Sequence, residues 1–154
     1  MTPDRFETGR LHLFGGLRRQ HTFAGADTGI ARQWQEFLTG HDVPGRVGQA
    51  YFGVLCGSSP DGIEYMCAVE VASLTDLPDG LGRMRVPPQH YAVFLHPHEA
   101  PLRGTWEAVL AWLARGSWQS AHRPDFERYP SADGLRPAAA GIEVWVSVQP
   151  REAL

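Results

Sequence analysis

An α+β domain built from two strand–helix–strand–strand units is what this chain of 154 residues predicts. Three observations lead there. Apolar spacing switches twice from the alternation of a strand to the period of a helix and back. Each helical stripe is followed by short apolar runs bounded by glycine and proline. Landmarks in the two halves also recur at nearly one offset: Trp34 and Trp106 stand 72 residues apart, Glu70 and Glu143 73 apart, Phe52 and Phe126 74 apart. Recurrence at a fixed period marks a duplicated unit. The duplicated βαββ units should form antiparallel sheet with two helices, related by a pseudo-two-fold axis. All of 1–154 reads as one domain, with repeats at about 10–72 and 83–148.

Each element has its own signal. Leu11–Leu17 alternates as a strand, and a Gly-rich turn follows from Phe23 to Gly29. Asp27 or Thr28 is placed to cap a helix whose stripe is Ile30, Trp34, Phe37 and Leu38; Gly40 and Pro44 end it. Tyr51–Cys56 and Glu64–Val71 are strands on either side of the turn Ser58–Gly62. A loop rich in Pro and Gly runs from Ala72 to about Gly82, and a strand-like piece leads to Pro87-Pro88. His90–His96 opens the second unit. Leu102, Trp106, Val109, Leu110 and Leu113 form its helical stripe, and Pro124–Tyr129 its middle strand. Ser131–Ala140 reads as a loop. Gly141–Val148 closes the sheet, with Ile142, Val144, Val146 and Val148 on one face and Glu143, Trp145 and Ser147 on the other.

Composition removes several kinds of chemistry. All 14 basic residues are arginine, so there is no lysine for a Schiff base or a phosphate-binding loop. The net charge of −3 disfavours direct binding to nucleic acid. Cys56 and Cys67 do not make a disulfide framework and read as apolar thiols in a reducing cytoplasm. No apolar run is long enough to cross a bilayer, and the N-terminus carries no signal-peptide pattern, so a cytoplasmic protein away from membranes is expected. His96-Pro97-His98 lacks a third ligand, and no metal or other cofactor is expected.

The second half resembles the GyrI-like, or AraC-type effector-binding, domain family. The resemblance rests on Pro87-Pro88-Gln89-His90-Tyr91-Ala92-Val93-Phe94-Leu95-His96, on Trp106 and Trp112-Leu113, on Asp125-Phe126-Glu127-Arg128-Tyr129, and on Ile142-Glu143-Val144-Trp145-Val146. Val69-Glu70-Val71 and Pro78-Asp79-Gly80 extend it into the first half, so that it covers most of 30–148. Two features depart from the family pattern. His96 is followed by Pro97-His98-Glu99-Ala100-Pro101 where a glycine is usual, and the first forty residues match in element order alone. The resemblance implies a small-molecule-binding domain with a central ligand groove between the repeats. Regulators of this type carry a DNA-reading helix-turn-helix beside it. The repeats account for nearly all of this sequence, which implies a stand-alone member.

Glu127 is the leading site candidate. Read alone, it is either a strand carboxylate paired with Arg128 or Arg123, or the charged floor of an apolar pocket, where burial raises its pKa and a cation is its natural partner. The resemblance implies the second. Glu70 and Glu143 each sit between β-branched residues and point to the opposite face of their strands; Glu70 also matches a family position that often holds glutamate. Tyr51, Tyr65, Tyr91, Trp112, Phe126 and Trp145 complete the expected ligand-binding set, since aromatic faces around one carboxylate suit flat or cationic organic molecules. Trp34 and Trp106 read as core residues of their stripes.

The expected function is therefore a binding protein for a hydrophobic aromatic compound, neutral or cationic. One alternative is a hydrolase of cyclopropane-bearing genotoxins, with Glu127 as acid/base supported by Glu70 and Tyr91. The other is an interaction protein that modulates DNA gyrase or a regulator protein.

Overall fold

The computed structural model describes residues 1–152, so the last two positions of the expected domain lie outside the described residues. The elements are β1 Arg5–Thr8, β2 His12–Thr22, α1 Ala26–Gly40, β3 Arg46–Ser58, β4 Gly62–Val71, β5 Gly82–Val86, β6 His90–Leu95, α2 Leu102–Arg115, β7 Trp118–Ser120, β8 Asp125–Tyr129, β9 Ala132–Asp133, β10 Arg136–Pro137 and β11 Glu143–Pro150. The fold is α+β, with two helices on a large antiparallel sheet.

The strands lie in the order β1-β6-β11-β8-β3-β4-β2-β5, with β7 added to β11. Around the central β8–β3 pair this order is palindromic by role. Leaving β7 aside, in each unit the strand after the helix is innermost, the closing strand is next, and the strand before the helix is outer. A palindrome of this kind is what a two-fold axis through the β3–β8 ladder produces. In that ladder Gly53 faces Glu127, flanked by Phe52–Arg128 and Val54–Phe126. The offset that maps Phe52 onto Phe126 also maps Gly53 onto Glu127, so the two residues nearest the axis are repeat mates.

Strand alternation sorts the sheet into two faces. Tyr51, Tyr65, Cys67, Glu127, Tyr129 and Val144 share the face packed against the helices. Trp34 and Phe37 of α1 bury there with Leu17, Val69 and Ile142, while Val109 of α2 packs on Phe94, Val146 and Val148. The other face curls around a second core of Phe14, Phe52, Val54, Met66, Tyr91, Val93 and Phe126.

Local differences from the sequence reading have physical causes. β2 runs on to Thr22 because β4 is long enough to pair with it as far as Gly62. α1 begins at Ala26, with Gly25 rather than Asp27 or Thr28 at its N-cap; Asp27 falls in the first turn, where an acidic residue suits the helix dipole. β1 and β7 are short strands with no alternation to reveal them, and tertiary pairing with β6 and β11 makes them. The loop 131–140 contains the small β9–β10 ladder. Cys56 and Cys67 are free thiols.

Candidate functional site

Glu127 sits at the centre of the helix-facing side and is 5% exposed. Its Oε1 accepts from the hydroxyls of Tyr65 at 2.8 Å and Tyr129 at 2.7 Å, and its Oε2 accepts from Trp106 Nε1 at 2.8 Å. The Tyr65 hydroxyl also accepts from Trp34 Nε1 at 3.2 Å. The two tryptophans one repeat apart, one on each helix, thus direct their indole N–H groups at one carboxylate cluster. Trp34 packs edge-on against Tyr129 at 5.6 Å and against Tyr51 and Tyr65 at 6.4 Å.

The floor of this site requires a glycine. A Cβ on Gly53 would lie 1.8 Å from the Tyr65 hydroxyl and 2.7 Å from Glu127 Oε1. The axis therefore holds one carboxylate and one empty position.

The electrostatics follow from these partners. Burial raises the Glu127 pKa, and the three donated hydrogen bonds oppose this only in part. Burial and the Glu127 charge push Tyr65 and Tyr129 well above the usual phenol range, so both act as donors. Neither Arg128 nor Arg123 bonds to Glu127, and its hydrogen-bond partners among the described residues are neutral. His96 lies near enough to favour the charged carboxylate but is itself held by Thr105 Oγ1 and the Ala100 carbonyl, each at 2.7 Å.

Glu70 lies on the opposite face and differs in kind. Arg10 donates two hydrogen bonds to it, at 2.5 and 2.8 Å, and His12 Nδ1 lies 3.0 Å from Oε2. Burial pushes its pKa up, but the Arg10 and His12 bonds outweigh that and hold it below the usual carboxylate value. Burial also keeps His12 below its ordinary pKa despite the carboxylate. Glu143, on the same face, is bonded by Arg5 at 2.6 Å.

The expected residue set therefore divides. Tyr51 and Tyr65 join Glu127. Glu70, Tyr91, Phe126 and Trp145 lie behind the sheet, where Trp145 stacks on Phe126. The Tyr91 hydroxyl is buried without a hydrogen-bond partner among the described residues, and burial pushes its pKa up to about 12. Trp112 faces neither group; it packs on Phe94 and Phe6. Trp106 and Tyr129, by contrast, belong to the site. The sequence carried a signal for Trp106, since its repeat mate Trp34 shares its stripe position, but helical periodicity alone reads both as core. Among the described residues no group of three metal-ligating side chains is present, and no helix is long and apolar enough to cross a membrane.

Comparison with known proteins places this geometry. The family model described as Cass2, integron-associated effector binding protein, matches residues 11–148. The transcriptional regulator BrlR of Pseudomonas aeruginosa is 31% identical over 104 residues, which is 65% of this chain and 38% of the regulator. The chain thus aligns with well under half of that relative's length. Among solved structures, SAV2435 bound to tetraphenylphosphonium superposes with a TM-score of 0.73 at 17% identity, over 94% of this chain and 93% of that one. An integron cassette protein from the mobile metagenome of Vibrio cholerae gives 0.69 at 19% identity, over 94% and 95%. These last two likenesses are of fold.

Proposed function

The chain belongs to the Cass2 family of integron-associated effector binding proteins, and from that premise we propose that its effector is a hydrophobic aromatic cation held between α1 and α2 against Glu127. The observation that carries this is a carboxylate 5% exposed whose hydrogen-bond partners are all neutral. A buried anion without a counterion is costly, and a desolvated cation brought beside it recovers much of that cost. The surrounding faces of Trp34, Tyr51, Tyr65, Trp106 and Tyr129 add cation–π attraction. The tetraphenylphosphonium held by SAV2435, a bulky aromatic cation, supports the same reading.

Entry needs movement at the helices. Trp106 is the half-buried partner of Glu127, and the bond from its indole can be exchanged for a contact with the ligand. An exposed ion pair between Arg103 of α2 and Asp27 of α1, at 2.6 Å, joins the first turns of the two helices. It is weak enough to open.

Calorimetric titration with tetraphenylphosphonium tests the proposal. Wild-type protein should bind it saturably, and Glu127→Gln should weaken binding at least about tenfold, or about 1.4 kcal/mol. Equal affinity in the two proteins would refute the role given to Glu127.

A second reading, hydrolysis of a cyclopropane-bearing electrophile, draws on the raised pKa of Glu127 and its contact with two tyrosine hydroxyls, a pairing suited to proton transfer. Tyr65 and Tyr129 would take the supporting part, because Glu70 and Tyr91 lie across the sheet. Mass spectrometry of such a compound after incubation with the protein should show the ring-opened product; unchanged substrate would remove this reading and leave the first intact.

A further inference from the structure

A cavity of about 480 Å³ opens on the sheet face away from Glu127. Aromatic rings back its inner wall, and Trp145 is the half-buried one that reaches it. The Trp145 and Phe126 rings stack with centroids 5.3 Å apart and planes inclined by 18°, and Phe52 lies beside them, its centroid 5.6 Å from that of Phe126. Its roof comes from β3, which leaves its ladder with β4 between Arg46 and Tyr51. Gly45 and Gly48 carry φ of +78° and +76° there, a backbone region open mainly to glycine, and the bulge brings Val47, Gly48 and Gln49 over the rim.

The charges around this cavity decide what it can hold. Both carboxylates of the lining are already paired: Glu70 with Arg10 and His12, and Glu7 with Arg5. Glu143, the cross-strand neighbour of Arg128, is bonded to Arg5 instead. The Arg128 guanidinium at the cavity wall has no hydrogen-bond or ion-pair partner among the described residues. Arg5 serves both Glu7 and Glu143, so carboxylates and guanidiniums balance in number, and what Arg128 keeps free is its hydrogen-bonding fork.

We propose that this cavity is a second binding site, which takes a flat aromatic carboxylate with its ring against the half-buried Trp145, which Phe126 backs, and its carboxylate on Arg128. The guanidinium fork matches a carboxylate in two parallel hydrogen bonds, and a concave aromatic wall with one charged group at its edge supplies both affinity and orientation. The site stands independently of the reading at Glu127, from which the sheet separates it.

The test is calorimetric titration with naphthoate and with the neutral isostere naphthylmethanol, on the wild type and on Arg128→Gln, Arg128→Lys and Glu127→Gln. Thermal melts check that each variant folds. Naphthoate should bind wild type at least about tenfold tighter than naphthylmethanol. Arg128→Gln should abolish that preference, and Arg128→Lys, which keeps the charge but not the fork, should retain part of it. Glu127→Gln should bind naphthoate as wild type does. Three results would each overturn the proposal: no naphthoate binding to wild type, equal affinity for the acid and the alcohol, or a preference that survives Arg128→Gln. Should Arg128→Gln fail to fold, an undiminished preference in Arg128→Lys would count against the fork in the same way.

Discussion

Glu127 and Glu70 are both buried strand carboxylates, on opposite faces of one sheet, and they are kept in opposite ways. Glu127 is surrounded by neutral donors and raised in pKa; Glu70 is gripped by a guanidinium and lowered. A carboxylate that already holds its cation has little left to offer a ligand. One that is hydrogen-bonded but uncompensated is stable enough to fold and still gains from a cation. Burial alone therefore does not distinguish the two glutamates, whereas the charge of their partners does.

The sharpest way to break this contrast is at the floor of the Glu127 site. Gly53→Val puts a side chain where the Tyr65 hydroxyl and Glu127 Oε1 now sit. It should destabilise the protein by about 3 kcal/mol in urea unfolding, the upper end for an overfilled core, and abolish tetraphenylphosphonium binding. Next come the two alanine variants. Glu127→Ala strands two buried tyrosine hydroxyls and the half-buried Trp106 indole and should cost about 2–3 kcal/mol. Glu70→Ala should cost nearer about 1 kcal/mol, because the Arg10 side chain is 66% exposed and can turn to water. Equal losses would mean that the partners of the two carboxylates do not matter.

The pH dependence should split in sign. A carboxyl whose pKa rises on folding holds its proton more tightly in the native state, so its contribution is full below the ordinary value near 4.5 and is lost as pH rises through the raised value. Asp125, which burial raises to about 6, has the same sign. The lowered pKa of Glu70 does the reverse: its contribution is full above the ordinary value and is lost as pH falls through the lowered one. Urea midpoints between about pH 3 and 8 should show less alkaline decline in Glu127→Gln and less acid loss in Glu70→Gln. The smallest effect is expected at the Arg103–Asp27 pair, whose members are exposed. Arg103→Ala should leave the melting temperature unchanged within error, while ligand association quickens if the pair restrains the helices.

The sequence made the fold legible wherever an element carried its own period. Both helical stripes and the long strands were readable from alternation and spacing. β1, with Phe6 as its one large apolar residue, is a strand only through its ladder to β6, a long-range contact that no local pattern records. The site was legible by chemistry but not by face. Glu127, Tyr51 and Tyr65 share one face, yet Phe126 is adjacent to Glu127 in sequence and lies on the other side of the sheet. Which face of each strand meets the helices depends on how the strands pair, and aromatic content says nothing of it. Gly53 and Tyr129 could have been reached by carrying the repeat offset residue by residue and by following alternation through the Asp-Phe-Glu-Arg-Tyr segment.

The register of β8 against β3 has a consequence for how this protein can change over generations. Side chains alternate across the sheet, so removal of Asp125 or Phe126 would turn the carboxylate to the far face and bring Arg128 opposite Gly53. One codon would exchange the acidic floor of the helix-facing side for a basic one. Insertions in 131–140 leave that alternation untouched. Lineages should therefore vary freely in the length of this loop while holding the spacing of β8 fixed, and new specificities should arise by substitution around the carboxylate rather than by change in length beside it.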